Sequence, residues 1–278
     1  MAVTLNVSRS GYYRWVKAGM RSPKQISEAR LLEKIVEVYN QSRQRYGSPR
    51  ITAEIRSQGM KISKNCVARI MKKHGIKSKM RKRYKITTNS RHKLPVTENL
   101  VEMKFNPERA NNLWSSDITY IRTREGWLYL AVILDLWSRS VISWNADSFM
   151  DENLVIRTLD KAIATRGKQE GLIFHSDRGC QYASFRVRKL LEQNEIKQSM
   201  SSKGNCYDNA PVESFFSTLK REMVYGENFK TREEAKQKLF EYIEVFYNRK
   251  RRHSSLGYLS PSDFENLNIP ECSGLNHS

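Results

Sequence analysis

With 278 residues, of which 39% are hydrophobic, the chain can bury one good core and carry a second, smaller unit, and its 10% aromatic content argues against a disordered polymer. The formal charge of +20 is lopsided: residues 1–100 hold 24 Lys+Arg against 5 Asp+Glu, the remainder 25 against 24, so a polyanion, nucleic acid foremost, is the expected partner of the first third. No apolar run approaches the roughly 20 residues of a membrane span, the start has no signal-peptide core, and Cys66, Cys180, Cys206 and Cys272 form neither a disulfide framework nor a zinc knuckle; a soluble cytosolic protein is expected.

In "SEARLLEKIVEVYNQSR" the residues Leu31, Leu32, Ile35, Val38 and Tyr39 share one helical face, with Ser27 as the expected cap. "YGSPRITAEIRSQG" reads as a turn and a short helix ended by Gly59. In "KISKNCVARIMKKHGI" Ser63 caps a helix carrying Val67, Ile70 and Met71, and Gly75 stops it. Three short helices in a basic setting match a small helix-turn-helix-like DNA-binding module whose last helix presents Lys64, Asn65, Arg69, Lys72 and Lys73. The alternative is a three-helix packing unit with a solvated basic surface. "IKSKMRKRYKITTNSRHKLPVTENL", with Arg81, Lys82 and Arg83, has no steady period and reads as an arm that tracks phosphates. The expected domains are a basic helical region over 1–90, a linker over 91–110, a core over 111–268 and a tail over 269–278.

Beyond "NNLW" the texture changes. "SSDITYIRT" alternates, "GWLYLAVILDLWS" is apolar enough for a central strand, and "RSVISWNAD" reads as a third strand, with hairpin turns between them. A helix over 152–166, a strand in "GLIFHS", a helix in "SFRVRKLLEQN" and a short strand in "IKQSMS" follow. The loop "SKGNCYDNAP" leads to a helix over about 212–223, and a last helix over about 232–247 runs into "NRKRRH". Meandering strands followed by alternating helix and strand give an α/β fold, a mixed sheet with flanking helices behind a small all-α domain.

Three acids stand out in that layout: Asp117 within the first strand, Asp177 at the end of the fourth, and Glu213 at the start of the helix after the loop. Neighbouring first and fourth strands would aim both aspartates into one cleft, with Glu213 at its rim. Clustered carboxylates raise one another's pKa unless a cation sits among them. Oxygen donors without His or Cys favour Mg²⁺ or Mn²⁺, and two such ions about 4 Å apart suit an in-line phosphodiester displacement. Asp135, Asp151 and Asp208 are rivals read as structural, and the tryptophans 114, 127, 137 and 144 as packing. His175 is either a substrate or metal contact or a turn-stabilising group. Tyr207, Asp208 and Asn209 could position DNA, and "NRKRRHSS" is a second phosphate contact or a solvated helix end.

The strings "SRSGYYRW", "YGSPRI", "LWSSDITYI", "GWLYLAVILDLWSRSVISW", "HSDRGCQYAS", "MSSKGNCYDNAPVESFFSTLKRE" and "FYNRKRRHSSLGYLSP" stand in order over almost the whole chain. Together they resemble the downstream-frame transposases of the insertion sequence 3 family. The resemblance implies a ribonuclease-H-like fold with an Asp–Asp–Glu triad whose last two members are separated by 35 residues. Here 35 residues lie between Asp177 and Glu213, so the triad maps onto Asp117, Asp177 and Glu213, and the family's basic residue, seven positions after the Glu, onto Lys220. It implies metal-dependent cleavage of one strand at the element's end by water, then attack of the freed 3′-hydroxyl on another phosphodiester. It further implies element-end and target DNA as partners, a homo-oligomer on DNA, an upstream-frame protein or frameshift fusion, and residence in the bacterial cytoplasm at the nucleoid. The chain has no heptad repeat, so low sequence preference on its own is expected. A non-catalytic DNA-binding regulator and a nuclease for RNA–DNA hybrids are the competing readings.

Overall fold

The computed structural model of the protein describes residues 8–17, 19, 22–79, 97–202 and 208–268. The chain divides into two compact units, Met1–Met80 and Arg81–Ser278. Residues 80–96, which include Arg81, Lys82 and Arg83, and residues 203–207, which include Tyr207, lie outside the described set, as do Cys272 and the rest of the tail.

The N-terminal unit contains helices α1 (Arg9–Lys17), α2 (Pro23–Gln41), α3 (Ser48–Ser57) and α4 (Lys64–Lys73). The expected periodicity produces its core: Ile35 of α2, Ile51 and Ile55 of α3 and Val67 and Ile70 of α4 are fully buried. Ser63 caps α4 by accepting the Cys66 N–H at 3.2 Å. The start of α2 differs from the expectation. Ser22, not Ser27, is its cap, in a reciprocal capping box with Gln25, and Pro23 opens the helix. Ser27 lies inside α2 and donates to the Lys24 carbonyl. The helix α1 has no counterpart among the expected elements and buries no side chain.

The C-terminal unit is built on a five-stranded mixed sheet of order β3-β2-β1-β4-β5. Its strands are β1 (Leu113–Thr123), β2 (Gly126–Asp135), β3 (Val141–Asp147), β4 (Ile173–Ser176) and β5 (Lys197–Met200). The first three form an antiparallel meander, and β4 and β5 add in parallel on the free side of β1. Gly126, at φ +115, takes the left-handed backbone that the tight β1–β2 turn needs.

Alternation along the strands gives each face a core. One face of β1 and β2 sends Trp114 and Ile133 against helices α5 (Glu152–Arg166) and α6 (Phe185–Gln193). The other sends Leu113, Ile121, Leu128, Leu130 and Val132 against α7 (Ala210–Leu219) and α8 (Arg232–Phe240). The two expected C-terminal helices each change pitch: Lys220–Val224 and Glu241–Tyr247 are π-helical, and a short α9 (Pro261–Asn268) follows. Trp114 is buried, Trp137 packs edge-on against Phe264, and Trp144 donates to Glu244, in keeping with packing roles.

Residues 97–110, counted in the linker by sequence, belong to this unit. The Leu100 N–H donates to Ser199 Oγ at 3.0 Å, Asn99 donates to Asp208 at 3.0 Å, and Val101 is buried in the sheet's core. The polar composition of the segment hides this, because only Val101 and Phe105 supply apolar contacts and the rest of the attachment runs through backbone and amide groups.

Candidate active site

β4 is four residues long and ends at Ser176, which lies opposite Ser116 in the parallel register with β1. The next residue after each is an aspartate: Asp117, still within β1, and Asp177, the first residue past the end of β4. Residues at equal offsets on neighbouring parallel strands point to the same face, and such strands lie about 4.8 Å apart. Asp177 therefore starts from the end of β4 beside the strand that carries Asp117, near enough for its charge to act on Asp117.

Asp177 also closes a turn, its Oδ1 accepting the Gly179 N–H at 2.9 Å. A side chain at Gly179 would bring a Cβ within 3.0 Å of that same oxygen and 3.1 Å of Gln181 Oε1, so glycine keeps the carboxylate where it is. Further along the loop, the buried Tyr182 hydroxyl meets Ser116 Oγ at 2.9 Å, and its carbonyl accepts from Gln198 of β5 at 2.9 Å. The loop after Asp177 is thus stitched to the strands on both sides of β4.

Glu213 arrives from α7, and Asn209 brings it there. Ser115 Oγ donates to Asn209 Oδ1 at 2.8 Å, and Asn209 Nδ2 donates to the Ser116 carbonyl at 3.3 Å. The Asn209 carbonyl accepts the Glu213 N–H at 3.2 Å. One buried amide ties the first turn of α7 to the two residues that precede Asp117. Asn209, which by sequence could position DNA, uses both ends of its amide inside the protein and is 5% exposed.

Charge links the three acids. Burial, then the charge of Asp177, hold the Asp117 carboxyl well above the usual carboxylate range, and Glu213 adds to the effect. The Ile118 N–H and Lys220 pull Asp117 the other way. Burial and Asp177 raise Glu213. Burial followed by both aspartates pushes the Tyr182 hydroxyl upward. Lys220 sits with its Nζ 4.8 Å from the centroid of the Tyr120 ring; burial lowers its pKa and Asp117 opposes that shift. Among the described residues, no three His, Cys, Asp or Glu side chains stand close enough together to hold a metal ion, so the acids share a field without forming a closed cage.

The rivals have structural tasks. Asp135 is fully buried, accepting the Asn111 and Trp137 N–H groups at 3.0 and 2.9 Å. Asp151 caps α5 through the Leu154 N–H, and Asp208 accepts the Ser202 N–H at 2.7 Å. His175 is 1% exposed with Nδ1 at 2.9 Å from Ser199 Oγ, and burial lowers its pKa, so it is a neutral group inside the sheet. In "NRKRRH", Arg251 is neither a phosphate contact nor solvated: it is buried in an ion pair with Glu222 at 2.8 Å. In the N-terminal unit, Lys64, Asn65, Arg69, Lys72 and Lys73 are all exposed on α4. Glu28 of α2 holds Lys73 at 2.8 Å and Arg69 at 3.6 Å.

Residues 26–84 match the family described as an HTH-like domain, and residues 107–206 and 213–269 match two families each described as an integrase core domain. Over 270 residues the chain is 43% identical to the transposase InsF for insertion sequence IS3A of Escherichia coli (strain K12), covering 97% of this chain and 94% of that protein. It is 42% identical over 264 residues to the insertion element IS600 uncharacterized 31 kDa protein of Shigella sonnei, covering 95% of this chain and 97% of that one. A solved structure similar to it is a simian T-cell lymphotropic virus intasome in complex with PP2A regulatory subunit B56 gamma, at 16% identity and a TM-score of 0.49 over 88% of this chain and 78% of that chain. With a helix-turn-helix-like unit, an integrase core and 43% identity along nearly its whole length, the chain belongs to the insertion sequence 3 family of DNA transposases.

Proposed function

We propose that Asp117, Asp177 and Glu213 are the catalytic and metal-binding triad of this transposase, holding two divalent cations, Mg²⁺ or Mn²⁺. The observation that carries the reading is the parallel register of Ser116 with Ser176, after which Asp177 follows the end of β4 with its charge acting on Asp117. The donor set fits a hard cation: carboxylate oxygens with no Cys or His among them, each raising its neighbours' affinity for positive charge. Bound there, the ions would activate the attacking oxygen and stabilise the leaving oxygen of an in-line displacement.

The chain's own residues do the rest. Asn209 and the Asp177–Tyr182 loop hold the carboxylates in place from two sides of β1. Lys220, braced on Tyr120, offers its ammonium to a phosphate or base near the reacting end. Water attacks the phosphorus at the element's end, and the 3′ oxygen leaves as a hydroxyl. That hydroxyl then attacks a phosphodiester of the target, whose own 3′ oxygen departs. Each step exchanges one P–O bond for another, with no protein–DNA bond and no ATP. Lys64, Arg69, Lys72 and Lys73 on α4, together with Arg81, Lys82 and Arg83, contact element-end and target DNA. The active assembly is a homo-oligomer on DNA, completed by an upstream-frame protein or a frameshift fusion, at the nucleoid in the bacterial cytoplasm.

The test is strand transfer of an element-end duplex in Mg²⁺ by Asp117→Ala, Asp177→Ala and Glu213→Ala proteins. Each should lose activity about a thousandfold or more while binding DNA within about twofold of wild type. Retained strand transfer in any one of them removes that residue from the triad. A wild-type protein that binds DNA but never nicks it in Mg²⁺ or Mn²⁺ leaves only the regulator reading.

A further inference from the structure

The two π-helical segments of the C-terminal unit, Lys220–Val224 and Glu241–Tyr247, directly follow α7 and α8. Their i→i+5 pattern is rare, and it concentrates at functional sites. In the first, the Tyr225 N–H reaches the Lys220 carbonyl at 2.7 Å. The two segments meet at a buried ionic cluster. Arg251 donates to Glu222 Oε1 through Nη2 at 2.8 Å and to Oε2 through Nε at 3.0 Å, and the Tyr242 hydroxyl donates to the same Oε2 at 2.9 Å. The side chains of Arg251 and Glu222 are only 5% and 9% exposed. Arg251 also lies over the Tyr247 ring, 5.6 Å from its centroid, with Nη1 3.2 Å from His253 Nε2.

A buried charge pair is a poor way to gain stability, because desolvation offsets much of the attraction; its better-attested use is to specify one register among several. The register available here is that of the turn carrying Lys220. Glu222 stands two residues after Lys220, so on a helical turn the two side chains project to different sides. Donors from Arg251 and Tyr242 hold the Glu222 carboxylate on one side. On the other, Lys220 rests on Tyr120 within the field of Asp117. Fixing the first fixes the rotation of the turn, and with it the place of the Lys220 ammonium.

We infer that Glu222 and Arg251 are positioning residues for strand transfer, holding the π-helical turn in the register that sets Lys220 beside the reacting phosphate. The inference rests on the reading of Lys220 as a contact to the reacting end. Single-turnover strand transfer on an element-end duplex in Mg²⁺ tests it, with Lys220→Ala, Glu222→Gln, Arg251→Lys and the Lys220→Ala/Glu222→Gln double variant. Lys220→Ala should lose about tenfold to a hundredfold in rate. Glu222→Gln should lose a comparable amount, and the double variant should be no worse than Lys220→Ala within about twofold, because both changes remove the same contact. Arg251→Lys, which keeps the charge but loses the two-pronged geometry, should fall between wild type and Glu222→Gln.

Losses that multiply in the double variant, or a fully active Glu222→Gln, overturn the positioning role while leaving Lys220 its own. A fully active Lys220→Ala removes the reading beneath it, and the inference falls with it. Should Glu222→Gln fail to fold, the paired Glu222→Met/Arg251→Met protein substitutes for it, since apolar replacement of a whole buried pair is commonly tolerated. A folded Met/Met protein reduced to the level of Lys220→Ala supports the inference, and one with wild-type rates overturns it.

Discussion

In the N-terminal unit every cation of the α4 face is exposed and the interior is almost wholly apolar. In the C-terminal unit Asp135, His175, Ser176, Ser199, Asp208, Asn209 and Arg251 are all buried. The contrast separates two ways of using polar groups. Exposed cations act through a field that salt screens and that tolerates movement, which suits a phosphate backbone. Buried polar groups must find partners at fixed distances, and in doing so they fix the position of whatever is attached to them. The first unit is built for attraction, the second for placement.

At Asp117 burial works against the charge that it places. Its carboxyl is raised above the unfolded value, so the folded protein binds the proton more tightly than the unfolded chain does. The associated stability is present below the usual carboxylate pKa and is lost as pH rises from there through the raised folded value. Without metal, Asp117→Asn should therefore be more stable than wild type at neutral pH by about 0.5–2 kcal/mol, while losing about a thousandfold in strand transfer. Melting curves from pH 4 to 8 check the sign: the wild-type midpoint should drop with rising pH more than that of the variant. Added Mg²⁺ should raise the wild-type midpoint and leave the variant's nearly still. A variant less stable than wild type at neutral pH would mean that the carboxylate is not under electrostatic strain.

Next in size is Asn209→Ala. It strips partners from Ser115 Oγ and from the Ser116 carbonyl, so the loss in stability should be about 1–3 kcal/mol by denaturant titration. Freed from β1, the first turn of α7 would let Glu213 drift, and a shift of about 1 Å can cost a hundredfold in rate. Single-turnover nicking that falls no further than DNA binding does would reduce Asn209 to a stability residue.

Legibility follows the same division. Apolar period alone gives α5 its observed limits, Glu152–Arg166, and the alternation in "SSDITYIRT" foretells β1, because these patterns are local and reflect burial on one face. The acids could be picked out as hard-ligand candidates, and the family strings narrowed the choice to three. The exceptions to apolar burial stayed hidden. Nothing near Glu222 announces a partner 29 residues away at Arg251, and "NRKRRH" reads as solvated because arginines in a run usually are. Asn209 sits in a polar Gly/Asn loop, and only the fold shows that its amide faces a strand more than ninety residues upstream. The π-helical turns leave no trace in the apolar period, and residues 97–110 are attached through backbone N–H groups, the Asn99 amide and the isolated apolar Val101 and Phe105, none of which forms a periodic pattern.

A smaller effect is expected on α4, where the N-terminal unit's mode can be measured directly. Lys72→Ala should weaken binding of a random-sequence duplex several-fold and lower the slope of log K against log salt by about 1, uniformly across sequences. The fold should not change, since Lys72 is exposed on α4. An unchanged slope would take α4 off the DNA and leave it a packing helix with a solvated basic surface.

The smallest effect is expected at Glu28, the one acid that meets this face among the described residues. Its carboxylate, 16% exposed, lies beneath Lys73 and Arg69, which are 59% and 55% exposed, and those cations hold it below the usual carboxylate range. Lys73 is the first cause of that shift. Solvent-exposed ion pairs of this kind contribute little to stability, so Glu28→Gln should leave the melting point nearly unchanged. DNA should respond more than the fold does. With the carboxylate gone, both cations are released to phosphates and the local field rises by one charge, so affinity for a random-sequence duplex should increase a few-fold at low salt and converge with wild type at high salt. Weaker binding by Glu28→Gln would reverse the assignment: Glu28 would then be orienting Arg69 and Lys73 toward DNA, and the N-terminal unit would share the fixed-distance logic of the core.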